Sequence, residues 1–326
     1  MFDKIKDNAV ADNSTAADVD AFKLEFLASV CNGLSQPQKT LECKYLYDEQ
    51  GSELFDQICD LPEYYPTRTE IGILEDNQAA IAGYLGEGAE IVELGSGASI
   101  KTRILLSALA APERYVPVDI SEEFMLEVAA GLRQDYPGLA VEPVVADFMA
   151  PFDLPAKSKG QRLLFFPGST IGNLHRAQAA EFIKSLRTST VADQFLIGVD
   201  LKKDTQVLEA AYDDAAGVTA AFNLNMLRRI NRELDANFVL EKFKHRAVYN
   251  KAQGRVEMHM ASLAAQSVRV ADKTFTFAEG ETIHSENSYK YGLNEFEEMV
   301  AAAGWKKQHV WTDADSLFAV FLLAAC

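Results

Sequence analysis

Between residues 90 and 201, short runs rich in β-branched and aromatic residues alternate with amphipathic stretches, and this rhythm restricts the chain more than any other feature. The runs are EIVELGSG (90–97), RYVPVDIS (114–121), LAVEPVVADF (139–148), RLLFFPGS (162–169) and QFLIGVDL (194–201). Near-continuous apolarity suits strands covered on both faces, and the helix-like stretches at 101–111, 122–134 and 176–188 supply the crossovers. The expectation is an α/β fold built on a doubly wound, mainly parallel sheet.

After Leu201 the pattern changes. Helical segments at 204–214 and 217–235 precede strand-like stretches at 244–263 and 273–291, with turns at KAQG (251–254) and AEGE (278–281). LNEFEEMVAAAG (293–304) reads as a helix capped by Gly304, followed by the apolar runs KKQHVWT and SLFAVFLLA. A sheet that is interrupted and then resumed predicts an insertion. Residues 70–201 and 286–326 are assigned to the sheet domain, and 1–69 with 202–285 to a second, α+β domain. The first ~20 residues read as a frayed terminus.

A net charge of −17 argues against nucleic acid or an anionic membrane as partner. No apolar run approaches the ~18 residues of a membrane span, and the N-terminus is acidic where a signal peptide is basic and then apolar. A cytoplasmic protein acting on a small molecule is expected. Cys31, Cys43, Cys59 and Cys326 form no CxxC pair, and the histidines at 175, 245, 259, 284 and 309 show no paired-ligand spacing, so no metal site is expected.

The turn after the first run carries Glu93, Gly95, Ser96 and Gly97, with Ser99 and Lys101 opening the next helix. Glycines there let the backbone approach a ligand and aim helix N–H groups at it. Asp119 ends the second run, where a carboxylate can accept from ribose hydroxyls. Asp147 and Phe148 end the third, where a carboxylate and the following N–H can read an adenine edge. Singly these are a tight turn, a helix cap and a turn residue; at successive strand ends they outline one nucleoside. A nicotinamide dinucleotide and S-adenosylmethionine both fit. Ser99 replaces the third glycine of the dinucleotide fingerprint, and the chain closes on a helix and two strands as class I methyltransferases do, which favours S-adenosylmethionine.

The fourth run stops at a polar corner, PGSTIGNLH (167–175). Asn173 in that corner can set an amide oxygen against a substrate amine, close to where a methyl group must arrive.

KYLYDEQGSELFDQICDLPEYYPTRTE (44–70), VELGSGASIKT (92–102), GSTIGN (168–173), AAYDDAAGVTAAFNLNML (210–227), INREL (230–234), RVEMHM (255–260) and Glu286-Asn-Ser288-Tyr-Lys290 together resemble the histidine-specific Nα-methyltransferases of ergothioneine biosynthesis. The resemblance implies a Rossmann-like class I methyltransferase sheet with an inserted substrate domain. It also implies S-adenosylmethionine-dependent trimethylation of the L-histidine α-amino group to hercynine, by a monomer without metal. By similarity, Glu93, Gly95, Ser96, Gly97, Lys101, Asp119, Asp147 and Phe148 stand at cofactor positions. Tyr64, Asn173, Tyr212, Met258, Glu286 and Ser288 stand at substrate positions, and Asn173 and Tyr47 at those closest to the chemistry.

The residue types agree with that assignment. Tyr64 and Tyr212 offer hydroxyls to a carboxylate and ring faces to a cation. Glu286 and Ser288, two apart on a strand, face one side and can address both nitrogens of an imidazole. The family run Ser-Cys-Lys-Phe-Arg is Ser288-Tyr-Lys-Tyr-Gly292 here, so the pocket rim differs. A nicotinamide-dependent dehydrogenase and a non-catalytic S-adenosylmethionine sensor are the competing readings.

Overall fold

Leu163 and Phe165 of the fourth run face one helical layer while Leu164 and Phe166 face another, so alternate side chains of one strand serve two separate cores. The structure is a computed structural model and describes residues 16–97, 99–120 and 122–326. Most of the stretch expected to fray falls on residues 1–15, outside the described residues. In chain order the elements are α1 (Ala16–Leu34), β1 (Lys39–Thr40), α2 (Glu49–Cys59), α3 (Tyr65–Leu85), β2 (Glu90–Leu94), α4 (Ile100–Ala108), β3 (Arg114–Asp119) and α5 (Glu122–Asp135). There follow β4 (Ala140–Val141), β5 (Val144–Val145), β6 (Arg162–Phe166), α6 (Arg176–Ser189), β7 (Gln194–Asp200), α7 (Thr205–Tyr212) and α8 (Val218–Leu234). The chain continues through β8 (Phe243–Asn250), β9 (Arg255–Ser262), β10 (Gln266–Val270), β11 (Lys273–Phe277), β12 (Thr282–Tyr289), α9 (Leu293–Ala302), β13 (Trp305–Thr312) and β14 (Phe318–Ala325).

The main sheet runs β13-β14-β7-β6-β2-β3-β4, with β5 also on β3. Its strands from β7 through β4 pair in parallel, and β14 is antiparallel to both β7 and β13. Such an order, with the last strand inserted antiparallel, is that of a class I methyltransferase sheet. One face packs α3, α4 and α5 through Ile73, Leu74, Leu105 and Leu132; the other packs α6 and α9 through Phe182, Ile183, Phe296 and Val300. The third predicted strand is only the two short pieces β4 and β5, because Glu142 and Pro143 interrupt its apolar run.

A second sheet, β1-β12-β9-β8, lies under α1, α2, α7 and α8 and encloses its own core of Phe26, Leu46, Phe222, Met226, Met258 and Ile283. Nothing in the residue pattern signals the hairpin β10-β11 as a separate sheet or β1, which is two residues long. The expected division at 69/70 falls inside α3, whose first residue packs in the second core and whose later turns pack on the main sheet. That at 285/286 falls inside β12, which stays in the second sheet to Tyr289. Two continuous elements, α3 and β12, thus cross the expected boundaries.

Candidate active site

Three strand C-termini of the main sheet meet at one edge. Gly95 follows β2 with φ 68° and donates its N–H to Val118 O at 2.8 Å, and Gly97 (φ 45°) donates to Asp119 Oδ2 at 3.3 Å. Left-handed backbone at both positions is natural for glycine and costly for other residues. Glu93 lies beneath this turn rather than on it. Its buried carboxylate takes the Tyr115 hydroxyl at 2.5 Å, and burial, opposed by Thr102, Tyr115 and Lys101, pushes its pKa up to about 7. Asp147 accepts the Met149 N–H at 2.8 Å, and the Phe148 ring packs on Phe166 and Phe182 with centroids 5.6 and 6.0 Å away. Ser96 is buried in the turn. The acidic groups, the open glycine backbone and the aromatic ring fit a nucleoside joined to a small charged tail.

At the end of β6 the PGST corner turns through Gly168 (φ 78°) and Ser169 (φ 54°) into a 3-10 turn, Thr170–Asn173. Gly168 donates its N–H to Glu70 Oε2 at 2.8 Å, and the same oxygen meets Lys101 Nζ at 2.5 Å. Glu70, fully buried on α3, thus ties the corner to the helix that follows the glycine turn. Gly172 presses against β12: a Cβ there would lie 2.8 Å from Tyr289 O. That contact delivers Asn173, half-buried, from the main sheet to the wall of the second domain.

The second domain holds a cavity lined by Tyr47, Phe55, Ile58, Tyr64, Ala211, Tyr212, Thr219, Phe222, Met258 and Glu286, with about 260 Å³ of space including its open mouth; Asn173 is not among its lining residues. Edge-on rings brace its wall: Tyr47 on Phe222 at 5.4 Å, Phe55 on Tyr64 at 6.2 Å, Tyr64 on Tyr212 at 6.0 Å. Burial, then neighbouring acidic and phenolic groups, hold Tyr47 and Tyr64 well above the usual phenol range, so both present neutral hydroxyls.

Glu286 is the one carboxylate among these lining residues. Its Oε2 is buried without a hydrogen-bond partner among the described residues, and burial, opposed by Lys290, pushes its pKa up to about 7. A β-bulge between His284 and Glu286 lets Glu286 face inward opposite Met258. Ser288 is buried next to the cavity but does not line it; its hydroxyl lies 2.8 Å from Tyr212 Oη and 2.7 Å from Lys290 Nζ.

A model of the family described as histidine-specific, S-adenosylmethionine-dependent methyltransferases matches residues 26–325. The chain belongs to this family. A histidine N-alpha-methyltransferase of Mycolicibacterium smegmatis is 44% identical over 296 residues, spanning 89% of this chain and 92% of that protein. One of Mycobacterium tuberculosis is 41% identical over 312 residues, spanning 94% and 96%. Ergothioneine biosynthesis protein 1 of Neurospora crassa is 32% identical over 284 residues, which cover 82% of this chain and 31% of that longer protein. Membership in an S-adenosylmethionine-dependent family sets aside the nicotinamide reading.

For this histidine-specific methyltransferase family member, Tyr47, Tyr64, Tyr212, Met258 and Glu286 come together in one cavity from distant parts of the chain. The sequence reading missed Glu70, Asp200 and the lining residues Phe55, Ile58, Thr219 and Phe222. The last four recur at i, i+3 on α2 and α8, a signal that marks a buried face without saying that the face borders a cavity. It also missed that the fold stacks His259 on His284, centroids 4.6 Å apart, with Glu257 within ligating reach. Arg255 already pairs with Glu257 at 2.7 Å, so the local charge of that cluster is balanced. Among the described residues no helix is long and apolar enough to cross a membrane.

Proposed function

We propose that this chain methylates the α-amino nitrogen of L-histidine three times to form hercynine, as a step of ergothioneine biosynthesis. The observation that carries the reading is the buried, unpartnered Glu286 Oε2 at the end of an otherwise neutral aromatic pocket. A buried acceptor without a donor is costly, and an imidazole N–H supplies the missing partner.

S-adenosylmethionine, when bound, supplies an electrophilic methyl group on a cationic sulfur. Gly95, Gly97, Lys101, Asp119, Asp147 and the Phe148 backbone would hold it at the edge of the main sheet. Glu286 anchors the ring, Tyr64 and Tyr212 offer hydroxyls to the α-carboxylate, and Asn173 orients the amine. The amine lone pair forms the N–C bond as the C–S bond breaks, with the electron pair leaving on sulfur. A proton must leave the nitrogen before each attack, so three are released per hercynine.

No strong base is needed in the pocket, and the neutral rings of Tyr47, Tyr64 and Tyr212 tolerate the quaternary ammonium that accumulates. Holding both reactants in line contributes on the order of ~7–11 kcal/mol at best. The chemistry asks for no metal. The test is mass spectrometry of reactions with S-adenosylmethionine and each of the twenty amino acids. Trimethylated product from histidine alone is expected; product from another amino acid would overturn the substrate, and none from any would favour a non-catalytic sensor.

A further inference from the structure

Behind the pocket wall lies Lys290, fully buried. Its ammonium meets Tyr212 Oη at 2.9 Å, Ser288 Oγ at 2.7 Å and Asp200 Oδ2 at 2.6 Å. An ammonium has three protons and accepts nothing, so these partners use it completely and none of it is left for a ligand. Asp200, also fully buried at the end of β7, is held from its far side by the Tyr65 hydroxyl at 2.8 Å and Lys203 Nζ at 2.5 Å. Asp200 therefore stands between two ammoniums, Lys203 and Lys290, while the remaining protons of Lys290 point at the Tyr212 hydroxyl of the pocket wall and at the Ser288 hydroxyl next to it.

Those hydroxyls are constrained as a pair. Each accepts from Lys290, and they lie 2.8 Å from each other. Of their two protons one is spent between them and one is left, and a substrate that parts them frees both. An oxygen that accepts from a cation is also a stronger donor through its own O–H. We propose that Lys290 is a positioning residue that commits the Tyr212–Ser288 pair to donating hydrogen bonds, so that the pocket meets an amino-acid substrate with donors on this wall and with the Glu286 acceptor beside them. The substrate groups matched are those that accept: a carboxylate oxygen and the bare nitrogen of a neutral imidazole. This rests on the histidine reading above.

The test is steady-state kinetics of the full chain with histidine and S-adenosylmethionine, comparing the parent protein with Lys290→Met. The KM for histidine should rise about tenfold to a hundredfold, the size of a lost charge-assisted hydrogen bond, while kcat and the KM for S-adenosylmethionine stay within about threefold. Because Lys290 acts through the hydroxyls, Ser288→Ala added to Lys290→Met should cost no more than about twofold further. Lys290→Gln keeps N–H donors at this position without the charge and should show a KM for histidine between those of the parent protein and Lys290→Met, with unchanged S-adenosylhomocysteine affinity in both variants showing that each is folded. An unchanged histidine KM, equal loss toward both substrates, or full additivity with Ser288→Ala would overturn the role of Lys290. A parent protein that does not methylate histidine would instead overturn the functional reading beneath it.

Discussion

At the cofactor edge the N–H groups and the ammonium have protein partners and the unpartnered oxygen, Glu70 Oε1, is sealed beneath the edge; in the substrate pocket the unpartnered oxygen belongs to a residue that lines the cavity. Gly97 N–H has Asp119, Asp147 has the Met149 N–H, and Lys101 has Glu70. Glu286 Oε2 has no partner among the described residues, although it is buried. The edge is thus held largely by its own contacts, whereas the ionised Glu286 carries an electrostatic cost at the cavity wall that a proton or a ligand N–H relieves. Selectivity belongs with the second kind of site, because a wrong side chain leaves that cost in place.

The comparison breaks most visibly at the seam. Asn173 sits where the main sheet touches β12, and Asn173→Ala should lower turnover by about a hundredfold or more through lost orientation. Affinity for S-adenosylhomocysteine, measured by calorimetry, should change by less than about threefold. Equal loss of both would place Asn173 at the cofactor edge instead.

Next comes the pocket charge. The folded pKa of Glu286, about 7, lies above its ordinary 4.5. Its contribution is thus fully favourable below about pH 4.5 and is lost as pH rises through about 7. Glu286→Gln should therefore stabilise the ligand-free protein at pH 8 by up to about 3 kcal/mol and leave it nearly unchanged at pH 4.5, as read from urea melts. Loss of stability at pH 8 would mean that Glu286 is already paired.

Glu70→Gln should have the opposite sign. Replacing a buried carboxylate that holds both Lys101 and the Gly168 N–H should cost about 1–2 kcal/mol in the same urea melts. A gain in stability would put Glu70 in the class of Glu286. The smallest effect is expected from Asp147→Asn, which keeps an oxygen for the Met149 N–H: affinity for S-adenosylhomocysteine should fall about threefold to tenfold, with the histidine KM unchanged.

The same contrast decides what could be read from the sequence. Cofactor-edge residues end successive strands of one parallel sheet, so the alternating apolar runs by themselves place Gly95, Asp119 and Asp147 together. The pocket collects side chains from the start of α3, the end of α7, the inner faces of α2 and α8, and β9 and β12. No local period connects those elements; the resemblance to the family named Tyr47, Tyr64, Tyr212 and Glu286, and the fold brought them together. Period 2 puts Glu286 and Ser288 on one side of β12, yet of the two only Glu286 lines the cavity, and Ser288 turns its hydroxyl to Tyr212 and Lys290. That period could not show that Ser288 is held by Lys290, because that contact depends on Asp200 from another sheet.

The most direct test of the account is a calorimetric titration of L-histidine into the protein saturated with S-adenosylhomocysteine at pH 8, for the parent protein and Glu286→Gln. The account predicts saturable binding that weakens about tenfold to a hundredfold in the variant, and no binding of phenylalanine to the parent protein. Equal histidine affinity in both proteins would contradict the claim that the buried carboxylate selects the substrate.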